Sequence, residues 1–189
     1  MMIAGQPTRE RDLLQAWPHR RAAGPSAGGR GDHVPQGKVG ISGSPSRLAI
    51  DVSKTGREIL EANTVIAVVG ASRDPNKAGG SVPAGLQRRG FRIIPINPYA
   101  DTLFGERVYR SLAEVPERID VVDVFRPAAD APDIARQAVA VGAKALWLQL
   151  DIRSDEARRI AESAGLDYVE DECTAVTSSL FRINKQAAA

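Results

Sequence analysis

The chain has 189 residues, of which 43% are hydrophobic and 25% charged, a composition ordinary for a globular protein that buries one sizeable core. Its net charge of +2 comes from residues 1–57, which hold nine Lys and Arg against four Asp and Glu, whereas residues 58–189 hold sixteen against nineteen. Because affinity for a phosphate backbone needs clustered basic residues, this mildly acidic body argues against nucleic acid as a partner.

The cysteine and histidine content argues against further classes. Cys173 is the single cysteine, and both histidines, His19 and His33, fall in the first third of the chain, so the sequence predicts neither a disulfide nor a metal site. A protein without disulfides suits the reducing cytoplasm, where we expect it. The longest apolar run, Val65–Val69, is far shorter than the about 18 residues of a membrane helix, so no membrane partner is expected.

Residues 1–54 are rich in Gly, Pro, Ser and Arg and show no sustained helical or strand period. We predict that they form a disordered tail and that residues 55–189 form the folded domain. Two alternatives stay open: an N-terminal targeting peptide, which Glu10, Asp12 and Asp32 disfavour, and a translation start further along the chain.

The first half of the domain alternates helices with strands. "GREILEAN" predicts a short helix before a strand at Val65–Val69, and Ser81 is predicted to be the N-cap of a second helix that ends at Gly90. "FRIIPI" predicts the next strand, Phe91–Ile96. "SLAE", Ser111–Glu114, has the spacing of a capping box and predicts one further short helix.

The second half continues the alternation. "IDVVDVF" predicts a strand at Ile119–Phe125, followed by a helix with one apolar stripe that ends at Gly142. "KALWLQL" predicts a strand at Lys144–Leu150, and Ser154 is predicted to cap the helix after it. "LDYVE" predicts a fifth strand, and a last helix is predicted at Ala175–Asn184.

Strands that alternate with helices in this way predict a parallel sheet built from right-handed βαβ units. We therefore predict an α/β domain of the Rossmann-like, doubly wound class, with a mainly parallel five-stranded sheet. Such domains bind ligands where the strands end, beside the point at which the strand order reverses. The predicted strand ends fall at Gly70-Ala71-Ser72, Asn97-Pro98, Phe125-Arg126-Pro127, Gln149-Leu150 and Asp171 to Cys173, and we expect the functional site there.

The loop after the first strand, "VVGASRDPNKAGGS", departs from both familiar phosphate loops. Started at Gly70, the P-loop pattern fails at residues 75–77, and the dinucleotide pattern fails at Ser72 and again at residue 75. The acidic residue that binds ribose in dinucleotide domains is replaced by Asn97. The sequence therefore disfavours both an NTPase and a nicotinamide-dependent protein.

The same loop is nevertheless compatible with a phosphate. The small residues Gly70, Ala71 and Ser72 allow a close approach, Lys77 adds a cation, and "AGGS" leaves room beside the next helix. On these residues alone, a phosphate loop and a plain strand-to-helix connection stay equally open.

The domain lacks a recognisable catalytic set. A nucleophile elbow around Ser72 would need a glycine where Asp74 stands, and the domain has no histidine to act as base. Asp120 and Asp123 lie an odd number of positions apart, so they face opposite sides of the sheet, and one of them is predicted to be a structural hydrogen-bonding group. Cys173 is predicted to be a small buried packing residue. These residues favour a protein without catalysis, although the question of an enzyme stays open.

Several quoted motifs, "IAVVGAS", "IIPINP", "VYRSLAEVPERIDVVDVFRP", "GAKALWLQL" and "AESAGLDYVEDEC", closely resemble the small bacterial and archaeal CoA-binding proteins. Their single Rossmann-like domain is similar to the CoA-binding domain of the succinyl-CoA synthetase alpha subunit. The resemblance extends from about Ile59 to Cys173 and implies non-catalytic binding of coenzyme A or an acyl-CoA at the carboxyl edge of the sheet. The role could be that of a sensor, a carrier or a subunit.

The resemblance also implies a set of ligand-binding residues. Gly70, Ala71 and Ser72 would lie against the diphosphate and Lys77 would neutralise its charge, while Asn97 and Pro98 would border the nucleotide. Phe125 would pack on the ligand, Arg126 would pair with a phosphate, and Gln149 would hydrogen-bond the pantetheine amides.

The sequence departs from the family pattern at Glu172, where a basic residue is usual, and this leaves the role of Cys173 open. Two other functions also stay open: an NAD(H)- or nucleotide-responsive module, and an accessory part of a CoA-using ligase. A homodimer or an unidentified protein partner is compatible with each of them.

Overall fold

The computed structural model describes residues 54–185. Within them, the strands are β1 (Val65–Val69), β2 (Arg92–Ile96), β3 (Thr102–Leu103), β4 (Glu106–Arg107), β5 (Val121–Val124), β6 (Ala145–Leu148) and β7 (Asp167–Val169). The helices are α1 (Gly56–Ala62), α2 (Ala78–Arg88), α3 (Ala131–Ala140), α4 (Asp155–Ser163) and α5 (Thr174–Leu180). The disordered tail predicted for residues 1–54 lies outside the described residues apart from Lys54.

The main sheet confirms the predicted fold class. Its five strands are parallel and follow the order β2-β1-β5-β6-β7, which is the arrangement of a doubly wound α/β domain. All four residues of β5 and all four of β6 are buried, because helices cover both faces of the sheet. The described residues also contain a small antiparallel hairpin of β3 and β4 that the sequence did not predict.

One face of the sheet builds the main apolar cluster. Alternate strand residues such as Ile66, Val68 and Trp147 pack there with Ile59 of α1 and Leu86 of α2. Helix α5 contacts both α1 and α2 on this side, whereas α3 and α4 pack against each other and contact β6 and β7 respectively. The cluster fixes the positions of the strands and therefore of the loops that leave their carboxyl ends.

Most predicted boundaries are confirmed to within a few residues. The Ser154 side chain accepts a hydrogen bond from the amide of Ala157, 3.2 Å away, and so caps α4 as predicted. The predicted last helix is shorter than expected, since α5 ends at Leu180. The predicted capping box at Ser111–Glu114 is wrong: those residues form a 3-10 turn in which Glu114 accepts a hydrogen bond from the amide of Arg110.

The start of α2 also differs from the prediction. The helix begins at Ala78, with Lys77 as its N-cap, and not after Ser81. Pro83 therefore lies inside the helix, where it has no N–H to donate to the carbonyl of Gly79 four residues earlier. That carbonyl instead accepts the amide hydrogen of Ser72, with an N–O distance of 2.9 Å. Because Pro83 leaves the Gly79 carbonyl without a partner in the helix, this carbonyl can hydrogen-bond the preceding loop.

Asp120 and Asp123 are both structural hydrogen-bonding groups, although only one was predicted to be. Asp120 accepts hydrogen bonds from the amides of Thr64 and Val65 and lies 2.7 Å from the Lys144 ammonium group. Asp123 is fully buried within β5, between its neighbours Val68 of β1 and Trp147 of β6. Asp120 lies just before β5, so of the two residues only Asp123 belongs to the strand.

Candidate functional site at the carboxyl edge of the sheet

The strand order reverses between β1 and β5, and doubly wound domains bind their ligands beside this point, at the carboxyl edge. The structure brings the loops that follow these two strands together. A Cβ atom added to Gly70 would lie 3.1 Å from Cδ of Arg126 and 3.1 Å from the carbonyl oxygen of Phe125. Gly70 of the predicted phosphate loop and Arg126, the predicted phosphate partner, are therefore neighbours.

The loop after β1 is held in shape by its own hydrogen bonds. The Ser72 hydroxyl oxygen accepts the amide of Asp74 at 3.1 Å, and the Asp74 carboxylate accepts the amide of Asn76 at 2.9 Å. The Asp74 carbonyl accepts the amide of Lys77 at 3.2 Å. Because Ser72 uses its oxygen as an acceptor in this turn, its hydroxyl hydrogen is directed elsewhere.

Two glycines at the start of α2 allow the loop to pack directly on the helix. A Cβ atom on Gly79 would lie 2.6 Å from the carbonyl oxygen of Gly70, and one on Gly80 would lie 2.1 Å from that of Asp74. Both distances are far shorter than a van der Waals contact. The interpretation that "AGGS" leaves room for a ligand is therefore wrong in part, because the chain's own carbonyl groups fill this space.

Asn97 joins the loops that follow β1 and β2. Its side-chain amide donates to the carbonyl of Ala71 at 2.8 Å, and its side-chain oxygen accepts the amides of Tyr99 at 2.7 Å and Ala100 at 3.0 Å. Pro98 follows it and is half-buried. The residue predicted to border the nucleotide thus shapes two of the loops at the carboxyl edge.

Arg126 forms an ion pair that the sequence analysis missed. Its Nε and Nη2 atoms lie 3.0 Å and 2.9 Å from one carboxylate oxygen of Asp130, and the side chains of the pair are only 18% and 20% exposed. Phe125 is half-buried and packs against the main apolar cluster. The spacing of four residues between Arg126 and Asp130 was a signal for this pair.

Gln149 lies in a buried polar cluster at the end of β6. Its Nε2 atom lies 2.8 Å from Oδ1 of Asp123 and 2.8 Å from the hydroxyl oxygen of Thr174. Burial raises the pKa of Asp123 to about 7, against the opposing effect of the hydrogen bonds from Gln149 and Thr174. An aspartate in the otherwise apolar segment "VVDV" was the sequence signal for this cluster.

The residues around Cys173 depart from the prediction. We predicted that Cys173 is a small buried packing residue, but it is only half-buried, at the N-cap position of α5. The Glu172 side chain accepts a hydrogen bond from the Thr177 hydroxyl, and its backbone carbonyl accepts one from the Trp147 indole, each at 2.6 Å. Glu172, the departure from the family pattern, therefore secures α5 to the sheet.

A second concave feature lies away from this edge. A groove of about 550 Å³ runs between α2 and α5, with Arg88, Arg89 and Ser179 among its lining residues. None of the described residues that line this groove is a site residue predicted from the sequence. Among residues 54–185, no helix is long and apolar enough to cross a membrane.

The parallel sheet and its strand order define a Rossmann-like α/β domain, and the loops described above form its candidate site at the carboxyl edge. Residues 64–179 match the family described as the CoA binding domain, and the chain belongs to this family. This membership confirms the family resemblance of the sequence.

In several relatives, the matched region makes up most of the relative's own chain. The uncharacterized protein YneT of Bacillus subtilis is 32% identical over 126 residues, which make up 67% of this chain and 93% of YneT. A solved structure from Thermus thermophilus is 35% identical, with a TM-score of 0.63, over 66% of this chain and 94% of that one. A hypothetical protein of Pyrococcus horikoshii is 33% identical, with a TM-score of 0.64, over 68% and 89% of the two chains.

Much longer ligases contain a similar domain. The ADP-forming acetate–CoA ligase II of Archaeoglobus fulgidus is 30% identical over 99 residues, which are 51% of this chain but 15% of the ligase. An acetyl-coenzyme A synthetase of Candidatus Korarchaeum cryptofilum, solved with phosphate and ADP, is also 30% identical, with a TM-score of 0.53, over 60% of this chain and 27% of the synthetase. The chain thus spans only a small part of these enzymes.

Proposed function

We propose that this protein binds coenzyme A or an acyl-CoA at the carboxyl edge of its sheet, and that it does so without catalysing a reaction. The observation that carries the proposal is the contact between two loops in a member of the CoA-binding family. Gly70 of the loop after β1 lies directly against Arg126 of the loop after β5. A diphosphate between these loops would meet backbone on one side and a guanidinium on the other.

The start of α2 supplies further groups for the diphosphate. The first amides of a helix have no acceptor within the helix, and the helix dipole makes this end positive, which favours a bound anion. In α2 these are the amides of Ala78 and Gly79. The Ser72 hydroxyl, which accepts from Asp74, keeps its hydrogen for a phosphate oxygen, and Lys77 at the N-cap adds positive charge.

Other residues at this edge account for the rest of the ligand. Asn97 and Pro98 would border the adenosine, because Asn97 shapes the loops after β1 and β2 together. Phe125 would pack on the ligand beside Arg126, whose position is held by Asp130. Gln149, at the end of β6, would contact the pantetheine arm. We also propose that the protein works in the cytoplasm, because its single cysteine is unpaired and its proposed ligand is coenzyme A.

Isothermal titration with CoA, acetyl-CoA, NAD and ATP tests the proposal. We expect CoA and acetyl-CoA to bind more tightly than NAD, because the loop lacks the glycines and the strand-end acid of a dinucleotide site. An absence of CoA binding at millimolar ligand would overturn the proposal. Tighter binding of NAD than of CoA would favour the nucleotide-responsive module instead.

A second candidate, an accessory part of a CoA-using ligase, is favoured by the ligases that contain a similar domain. The two candidates differ in their need for another protein. Titration of the purified chain with CoA distinguishes them, because CoA binding by the chain alone favours the first candidate, whereas binding only in the presence of a further subunit favours the second.

A further inference from the structure

Arg110 lies where the chain returns to the edge of the main sheet after the hairpin of β3 and β4. The residue before it, Tyr109, forms a parallel bridge with Ile96, the last residue of β2. The Tyr109 amide donates to the carbonyl of Pro95 at 3.1 Å, and the Tyr109 carbonyl accepts the amide of Asn97 at 3.0 Å. Because Tyr109 runs parallel to the end of β2, the next residue, Arg110, emerges at the carboxyl edge.

The Arg110 guanidinium is fixed on the backbone of the loop that follows β2. Its Nη1 atom donates to the carbonyl of Asn97 at 3.0 Å and to the carbonyl of Ala100. Its Nη2 atom lies 2.6 Å from Oδ1 of Asp101. These bonds hold a positive charge directly beside Asn97, the residue against which the adenosine is proposed to lie.

The same guanidinium has donors to spare. A guanidinium carries five N–H donors, and within residues 54–185 Arg110 uses two on Nη1 and one on Nη2. The N–H of Nε and one N–H of Nη2 remain. The Arg110 side chain is 43% exposed and that of Asp101 is 91% exposed. An ion pair so open to solvent is weak, so an anion of higher charge can take the place of the carboxylate.

We propose that Arg110 binds the 3′-phosphate of coenzyme A and so selects CoA over nucleotides that lack this group. The inference rests on the proposed function, in which the adenosine borders Asn97 and Pro98. The 3′-phosphate is carried by the ribose of that adenosine, and as a phosphate monoester it holds close to two negative charges at neutral pH. A planar guanidinium pairs with such a group through two parallel hydrogen bonds. This contact is separate from that of Arg126, which is proposed to pair with the diphosphate.

Titration calorimetry of the full chain with CoA and with 3′-dephospho-CoA, which differs only in this phosphate, tests the contact. We expect the wild-type protein to bind CoA about tenfold more tightly, which is the effect of one charge-assisted hydrogen bond. In Arg110→Gln, which keeps an N–H donor for the loop carbonyls without the charge, the two ligands should bind equally. Arg136→Gln, on the outer side of α3, is the control and should keep the wild-type preference.

Asp101 offers a test of opposite sign in which Arg110 is kept. Because its side chain is 91% exposed, Asp101→Asn should leave the fold unchanged while it removes a negative charge from beside the phosphate. The preference for CoA over 3′-dephospho-CoA should increase, by up to about fivefold.

The two ligands also separate this inference from the proposed function. Equal affinities of the wild-type protein for CoA and 3′-dephospho-CoA, or an unchanged preference in Arg110→Gln, would overturn the inference and leave CoA binding intact. An absence of binding to both ligands would overturn the proposed function, and the inference with it.

Discussion

The side-chain amide of Asn97 donates a hydrogen bond to the backbone carbonyl of Ala71 at 2.8 Å. The contact connects the end of β2 with the loop after β1. At this position a dinucleotide-binding domain has an acidic residue that accepts a hydrogen bond from a ribose hydroxyl. In this protein the Asn97 side chain instead hydrogen-bonds the protein backbone, because its oxygen accepts the amides of Tyr99 and Ala100. Asn97 is thus a brace between two loops.

The first prediction concerns this brace. Replacement Asn97→Asp should destabilise the protein by about 1–3 kcal/mol, because a carboxylate cannot donate to the carbonyl of Ala71 and would repel it. We also expect weaker CoA binding, since the loop after β1 loses its support. Urea denaturation and calorimetry measure the two effects. The exposed Asn184, changed to Asp, is the matched control, and an equal effect of the two substitutions would contradict the role of the brace.

The second prediction concerns the two glycines at the start of α2. Gly79→Ala and Gly80→Ala should each displace the loop after β1 and weaken CoA binding, because the added methyl group would meet the carbonyl of Gly70 or Asp74. Thermal unfolding should show a lower melting temperature for both variants, and calorimetry should show the loss of affinity.

The same helix offers a matched control for these glycines. A Cβ atom on Gly85 would meet only Nη2 of Arg88, at a relaxed 3.8 Å, so Gly85→Ala should leave CoA binding unchanged. It should also stabilise the helix by up to about 1 kcal/mol, since alanine is the better helix former. If Gly79→Ala and Gly85→Ala behaved alike, the close packing of loop and helix would not matter for binding.

The third prediction separates phosphate binding from pantetheine binding at Arg126. Arg126→Ala should weaken CoA binding about tenfold or more, which is the effect of one charge-assisted hydrogen bond, and pantetheine much less. Arg136, which pairs with Asp133 and Glu156 on the outer side of α3, is the control, and Arg136→Ala should affect neither ligand. Equal losses for CoA and pantetheine in Arg126→Ala would count against a phosphate contact.

The fourth prediction is a pH dependence of stability. Burial raises the pKa of Asp123 to about 7, whereas an aspartate in an unfolded chain has a pKa of about 3.9. Between these values the unfolded state releases the proton and the folded state keeps it. The free energy of unfolding should therefore fall as the pH rises from about 4 to about 7, by up to about 4 kcal/mol.

Replacement Asp123→Asn removes this titration while it keeps a hydrogen-bonding side chain of the same size. Urea denaturation of both proteins at several pH values should show that the difference between their free energies of unfolding changes with pH. A constant difference between pH 4.5 and pH 8 would mean that Asp123 ionises as it does in an unfolded chain.

The fold class could be inferred from the sequence, and with it the sheet edge to which the candidate site is assigned, because both depend on local patterns. Short runs of buried β-branched residues between helices predict parallel strands, and parallel strands bring their following loops to one edge. The sequence alone assigns Gly70, Asn97 and Arg126 to that edge. Their roles toward a ligand stay predictions.

The partners of these residues could not be inferred in the same way. Asp123 and Thr174 are 51 residues apart in sequence, and their bond depends on how α5 is placed over the sheet. The predicted start of α2 followed the preference of serine for the N-cap position, whereas the packing of the loop against Gly79 and Gly80 explains why the helix begins before Ser81. Tertiary contacts outweighed local propensity at both places.

Pro83 of α2 influences the conformation of the loop that precedes the helix. A proline in the sixth position of α2 releases one carbonyl group, and the loop after β1 attaches to that group through Ser72. The conformation of the loop "GASRDPNK" therefore depends partly on residues that follow it in the sequence. Anyone who transfers this loop to another scaffold should move the segment Gly70–Pro83 as one piece, since its two halves complete each other's hydrogen bonds.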